Sequence, residues 1–209
     1  MRWSRWLLPL VGLLVGCVRL GVRAPQIRDY RLDYTPPVVT GAPLAAILAI
    51  PPLAVAAVYD REPIIYRENL YSTAAYFDSR WSANPGSMVA DLLARDFVDS
   101  HLYRAVQRGP SLLPNDYRIS GQIEEIEESL TDSSCTAHLR LDVLVVRIRR
   151  GKGDSVLLQR TYAGDEPSAC KTPHALAAAM SQVLAGISAR LQRDVHDAIA
   201  ADAAAAQLP

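Results

Sequence analysis

His138-Leu139-Arg140-Leu141-Asp142-Val143-Leu144-Val145-Val146 is the stretch that decides how this chain folds. Successive side chains of a strand point to opposite faces. Leu139, Leu141, Val143 and Val145 therefore share one face and His138, Arg140 and Asp142 the other, until Leu144 and Val146 make the strand apolar on both. Gly151-Lys152-Gly153-Asp154 carries the chemistry of a hairpin turn, and Val156 to Tyr162 returns as the partner strand. A sheet buried on at least one face needs a second layer. The segment that supplies it follows directly. Thr172-Pro173 reads as a helix N-cap with proline at the first helical position. Leu176, Met180, Val183, Leu184, Ile187, Leu191, Val195 and Ile199 then hold helical spacing for over six turns. The alanine-rich tail after it is expected to fray.

Upstream, Tyr117 to Ser129 alternates at first (Tyr117, Ile119, Gly121, Ile123) and turns acidic at Glu124-Glu125 and Glu127-Glu128. As a helix it has no consistent face, so it reads as a strand whose acidic end is solvated. Asn84-Pro85 opens another helix, with Val89, Leu92, Leu93 and Phe97 on one face, expected to run to about Val106. Before it come short strands at Tyr30 to Tyr34, Leu44 to Ile50, Pro63 to Arg67 and Ser72 to Phe77, punctuated by Pro36-Pro37 and Pro51-Pro52. Pro63 lacks an N–H, so it can only begin a strand or lie at an edge.

The N-terminus is of another kind. Arg2 and Arg5 precede an apolar run from Trp6 to Val15, and Leu14-Val15-Gly16-Cys17 closes it. Charged start, short apolar run and small residue make a secretory signal peptide. The run is about half the length that spans a bilayer. Leu-Val-Gly-Cys resembles the bacterial lipobox, in which the Cys sulfur is acylated and becomes the first mature residue. The expected organisation is residues 1–16 signal peptide, 17–29 tether, 30–200 one folded domain and 201–209 flexible tail. Lipid on Cys17 would be the anchor; stable anchoring takes more than one acyl chain, and bacterial lipoproteins carry three. No aspartate follows Cys17, and Val18 favours sorting to the outer membrane, facing the periplasm.

Composition narrows the functional classes. Hydrophobic residues make up 50% and charged residues 21%, which is ordinary for a globular protein. Removing Arg2 and Arg5 leaves 20 basic against 22 acidic side chains, so the mature charge is −2. Without a basic excess there is no counterion release to drive nucleic-acid binding. The catalytic motifs sought are lacking: Gly-x-Ser-x-Gly, a phosphate-cradling glycine loop and His-Glu-x-x-His. The expectation is a non-enzymatic protein with neither cofactor nor metal. Cys135 and Cys170 leave two readings open. With His138 and His174 they have the composition of a structural zinc site; in an exported protein they suit a disulfide. A hairpin centred on Lys152–Gly153 pairs residues whose numbers sum to 305, as 135 and 170 do, which favours the disulfide. Tyr66, Arg67, Tyr71, Arg80 and Trp81 are the candidate partner-binding residues, because arginine and large aromatics dominate interface hot spots. For Trp81 a place in the core is an equal alternative.

The order of these segments resembles the ABC-type transport auxiliary lipoprotein family. The matching motifs are the lipobox, Tyr30-Arg31-Leu32-Asp33-Tyr34, the run from Pro51 to Arg67, Tyr76 to Pro85 before a helix, Asp116 to Gly121 opening a strand, and the long final helix. Within them Ser82-Ala83-Asn84 departs from the acidic residue and proline that often follow the family's Trp. The resemblance implies a single two-layer α/β domain, a mixed, mostly antiparallel sheet with two main helices packed on one face. It also implies a non-enzymatic outer-membrane component serving an ABC transporter with a mammalian-cell-entry (MCE) type periplasmic subunit. Such systems move lipids or other hydrophobic molecules between the inner and outer membranes. The MCE-type subunit or a neighbouring copy of the chain, as a homo-oligomer, is then the expected partner. The competing readings are a periplasmic lipid-binding carrier, which needs an apolar cavity between helices and sheet, and a periplasmic hydrolase.

Overall fold

A computed structural model of the chain describes residues 26–109, 114–131, 134–149, 151 and 153–206. Cys17, the expected signal peptide and most of the expected tether lie outside the described residues. In chain order the elements are β1 (Arg28–Tyr30), β2 (Leu44–Ile50), β3 (Ala54–Val55), β4 (Pro63–Asn69), β5 (Ser72–Trp81), α1 (Pro85–Asp99), β6 (Tyr103–Arg108), β7 (Tyr117–Leu130), β8 (Cys135–Arg147), β9 (Ser155–Ser168) and α2 (Pro173–Ala205).

Alternating apolar residues make β7 and β8 the spine of one open sheet. β8 lines one edge of β7 and carries β9 beyond it, all antiparallel. The other edge of β7 is shared in succession by β2, β3 and β4, each parallel to it. β6 flanks β2, while β5 and then β1 flank β4. The long ladders are antiparallel, so the sheet is mixed and mostly antiparallel. Both helices lie against the face that carries Leu139, Leu141, Val143 and Val145, at most 2% exposed, together with Ile119, Ile123 and Ile126. Among the described residues no helix is long and apolar enough to cross a membrane.

The hairpin register differs from the one expected. β8 and β9 pair with sums of 303, as in Cys135↔Ser168, shifting to 302 past a bulge after Val145. The turn is therefore centred on Gly151, whose φ of 72° is the left-handed conformation that glycine adopts without strain. Cys170 sits two residues beyond the partner of Cys135, and the disulfide forms there, with Cα atoms 5.0 Å apart.

Four further expectations give way to tertiary contacts. Residues 31–34 alternate in burial without being a strand. Leu32 and Tyr34 are buried under the helices, the Asp33 amide donates to Ser181 Oγ of α2, and β1 is confined to Arg28–Tyr30 beside β5. α1 does not run to Val106. Asn84 caps its start by accepting from the Gly86 amide, but the helix stops at Asp99, His101 turns left-handed with φ 55°, and Tyr103–Arg108 becomes β6 on the edge of β2. Thr172 precedes Pro173 as expected yet makes no side-chain cap. Finally, α2 remains helical to Ala205, because Tyr117 and Arg147 of the sheet bond Asp202 and hold its last turns.

The two helices are joined by a buried acid. Asp96 of α1, 1% exposed, accepts from Tyr34 Oη at 2.7 Å, Ser188 Oγ of α2 at 2.6 Å and Arg95 Nη2 at 2.9 Å. Hydrogen bonds to a charged group contribute about 1.5–3 kcal/mol each, and stranding their donors costs more than removing both partners. Asp96→Asn keeps the shape but offers one acceptor oxygen in place of two. The expected result is a loss of about 1.5–3 kcal/mol in chemical denaturation.

Candidate partner interface on the β4–β5 strand pair

β4 and β5 form an antiparallel hairpin in which Tyr66 faces Ala74 and Arg67 faces Thr73. Leu70 and Tyr71 are the two turn residues, and the Tyr71 amide donates to Asn69 Oδ1 at 2.9 Å. The hairpin does not gather its aromatic and arginine side chains on one face. Arg67 shares a face with Thr73, Ala75 and Phe77, and Tyr66 shares the opposite one with Tyr76. The Tyr66 and Tyr76 rings pack at 4.9 Å between centroids.

Each face closes over a glutamate of β7. A bulge between Ile123 and Glu125 shifts the phase, so that Ile126 and Glu128 point to the helix side and Glu127 to the other. Glu127 is 1% exposed. Its Oε1 meets Arg67 Nε at 2.6 Å and its Oε2 accepts from Tyr59 Oη at 2.6 Å. Glu128 is fully buried and accepts from Tyr76 Oη and, more weakly, from Ser168 Oγ. This corrects the expectation of a solvated acidic end. A carboxylate leaves water only when paired and hydrogen-bonded, and both partners come from segments remote in sequence. Glu125 stays half-exposed and bonds His138 Nε2 at 2.8 Å, while His138 Nδ1 meets Asp165 at 2.6 Å.

The candidate partner-binding residues separate accordingly. Trp81 is 2% exposed and belongs to the core, which removes it from the surface set. Arg80 clasps three segments, with Nε at 2.6 Å from Asp29 of β1 and Nη1 at 3.3 Å from Glu62. Arg67 and Tyr66 are part-buried and committed to contacts within the chain. Tyr71 is 93% exposed at the tip, beside Leu70 at 74%. The residue that sequence reading missed is Phe77, 81% exposed on β5. Its signal was available: it continues the Thr73, Ala75 alternation on the face away from the helices. Among the described residues Ser72 to Ala75 of β5 pair with β4 alone, Tyr76 to Asp78 fall in a register irregularity, and β1 begins opposite Ser79. A large aromatic side chain exposed on the surface of a strand pair is a place where a protein partner can dock.

Six buried or part-buried tyrosines, Tyr34, Tyr59, Tyr76, Tyr103, Tyr117 and Tyr162, have hydroxyls pushed above the phenol range, first by burial. For Tyr117 the rise, to about 12, is added to by its hydrogen bond to Asp202. A raised folded-state value means that the neutral form stabilises the fold. That contribution is complete below the ordinary phenol value of 10.0 and is lost as pH climbs through about 12. Phenolate absorbance from these residues is therefore expected to appear together with loss of circular dichroism above pH 10. Full ionisation of all nine tyrosines in a still-folded protein would contradict this.

No metal-binding cluster occurs among the described residues. Cys135 and Cys170 are consumed by their disulfide, and His138 by its two carboxylates. A depression of about 400 Å³ lies on the open side of the sheet, lined by Ser120, Gln122, Asp142, Gln159, Arg160 and Thr161 among others. Ala54, Val143 and Leu144 share the lining with these polar residues, and the depression is open to solvent.

Residues 30–192 match the model of the ABC-type transport auxiliary lipoprotein component family. The chain belongs to this family. A solved structure of a Xanthomonas campestris protein of the DUF330 family superposes with a TM-score of 0.76 at 21% identity, covering 84% of this chain and 98% of that one. A hypothetical protein from Chlamydia trachomatis does so with a TM-score of 0.54 at 12% identity, over 76% of this chain and 99% of that one. At such identities the likeness is one of fold. No curated protein matches the chain.

Proposed function

We propose that this lipoprotein is a non-enzymatic outer-membrane component of an ABC transporter with an MCE-type periplasmic subunit, moving lipids or other hydrophobic molecules between the two membranes. The observation that carries the reading is the family match over residues 30–192, which spans nearly the whole folded domain. The lipobox at Cys17 and the Val18 that follows support acylation and outer-membrane sorting. The β4–β5 strand pair is the proposed contact for the MCE-type subunit or a second copy of the chain. Phe77 is its exposed element, and Arg67, Tyr66 and Arg80 hold the pair in shape. A lipid-carrier role finds less support. The depression at Gln122 and Asp142 is open to solvent rather than enclosed, and it lies on the side of the sheet away from the helices.

The test is purification of the acylated protein from membranes with its bound partners. ABC ATPase, permease and MCE-type subunits are expected to co-purify with the wild type. Phe77→Asp is expected to lose them with an unchanged melting temperature, because Phe77 is solvent-exposed. Cys17→Ser is expected to take up no fatty-acid label and to leave the outer-membrane fraction. Equal labelling of variant and wild type would reject the lipobox; retention of the transporter subunits by Phe77→Asp would reject the contact.

A further inference from the structure

The direction of β1 orients the whole domain relative to its anchor. β1 runs parallel to β5, with Arg28 opposite Ser79 and Tyr30 opposite Trp81. Gln26 and Ile27, which lead into β1, therefore come from the low-numbered side of β5, toward the hairpin tip at Leu70-Tyr71. That end of the sheet also holds the end of β7 at Leu130, the start of β8 at Cys135 and the entry to α2. The start of β9, the turn at Gly151 and the C-terminus of α2 lie at the opposite end.

Chain length sets how far the anchor can be. Extended residues advance by at most about 3.3–3.6 Å each, so the eleven steps from Cys17 to Arg28 reach about 36–40 Å. The seven steps of β5 from Ser79 back to Ser72 cover about 23 Å. At full stretch an acylated Cys17 would pass the hairpin tip by only about 13–17 Å, and any slack brings the tip closer to the bilayer. At that end the chain presents Leu70 and Tyr71, 74% and 93% exposed, on a two-residue turn. Tyrosine with an apolar neighbour suits the headgroup boundary, where an amphipathic ring has both of its environments.

We infer that Leu70-Tyr71 rests in the interfacial layer of the membrane that holds the lipid anchor, as a second, protein-made contact beside the acyl chains. This fixes the tilt of the domain and holds Phe77 further from the bilayer than the hairpin tip. The inference rests on acylation at Cys17.

Tryptophan fluorescence tests it on the full-length, acylated protein in vesicles of phosphatidylethanolamine and phosphatidylglycerol with brominated acyl chains. Trp3 and Trp6 leave with the signal peptide, and the buried Trp81 supplies a constant background. Tyr71→Trp is expected to show a blue shift on vesicle insertion and loss of the added emission to the bromolipid. Val156→Trp, 60% exposed in the wild type at the far end of the sheet, is expected to show neither. Leu70→Glu combined with Tyr71→Trp should weaken the quenching. Protein that floats with the vesicles while Tyr71→Trp stays unquenched would overturn the inference and leave the anchor intact. A blue shift without quenching would overturn it too, by showing the tip seated on protein. Failure to float would remove the anchor itself, and the inference with it.

Discussion

Trp81→Ala is expected to cost about 3–5 kcal/mol of stability, the range for truncating a fully buried large aromatic. Trp81 ends β5, is 2% exposed, and lies at the junction of three segments. Its amide donates to the Glu62 carbonyl at 2.7 Å, it pairs with Tyr30 of β1, and its neighbour Arg80 bonds Asp29 and Glu62. Removing the indole leaves a cavity at the point where β1 is held to the sheet. The loss would therefore include fraying of β1 as well as the transfer of apolar surface to water. At about 2–4 °C per kcal/mol for a domain of this size, the melting temperature should fall by about 6–20 °C. A variant that melts with the wild type but no longer binds its partner would show that Trp81 acts at an interface.

Reduction of Cys135–Cys170, or its replacement by Cys135→Ala with Cys170→Ala, is expected to cost about 4 kcal/mol. The bond spans a sequence separation of 35, and the chain-entropy model gives about that figure for a loop of this length. Its position adds a local effect. Cys135 starts β8 and is 4% exposed, while Cys170 lies in the exposed link between β9 and α2. Without the bond that link is held by the β8–β9 ladder on one side and by the packing of Leu176 and Met180 on the other. Thermal melts with and without reductant measure the cost, and mass spectrometry of the unreduced protein should find the linked peptides. Equal melting temperatures in the two states would show that the reduced chain is no freer than the oxidised one.

Much of this could be read from local pattern. The alternation of Leu139 to Val145, the helical spacing from Leu176 to Ile199 and the Asn84-Pro85 start identify β8, α2 and α1, because period and cap chemistry are properties of a short segment. The bulge in β7 had a signal as well. Ile119 and Ile123 keep strand phase and Ile126 breaks it, so one residue must be inserted if all three are buried. Tyr103 to Arg108 had no comparable signal. Its apolar residues extend the face of α1, and only the edge of β2 makes them a strand.

By itself the sequence determined the two-layer α/β architecture and the family, and it raised the expectation of an N-terminal lipobox. Only the tertiary structure decided which polar and aromatic side chains would be buried. Glu127 and Glu128 look solvated in a run of four acids, and Arg80-Trp81 reads equally well as a surface anchor. Tyr59, Arg67, Tyr76 and Ser168, from remote segments, cover the two acids, and the β1–β5 junction encloses Trp81. A side chain's preference for water is local, but its burial depends on what the rest of the chain lays over it, and for a charged or amphipathic group that partner decides the sign of the free energy.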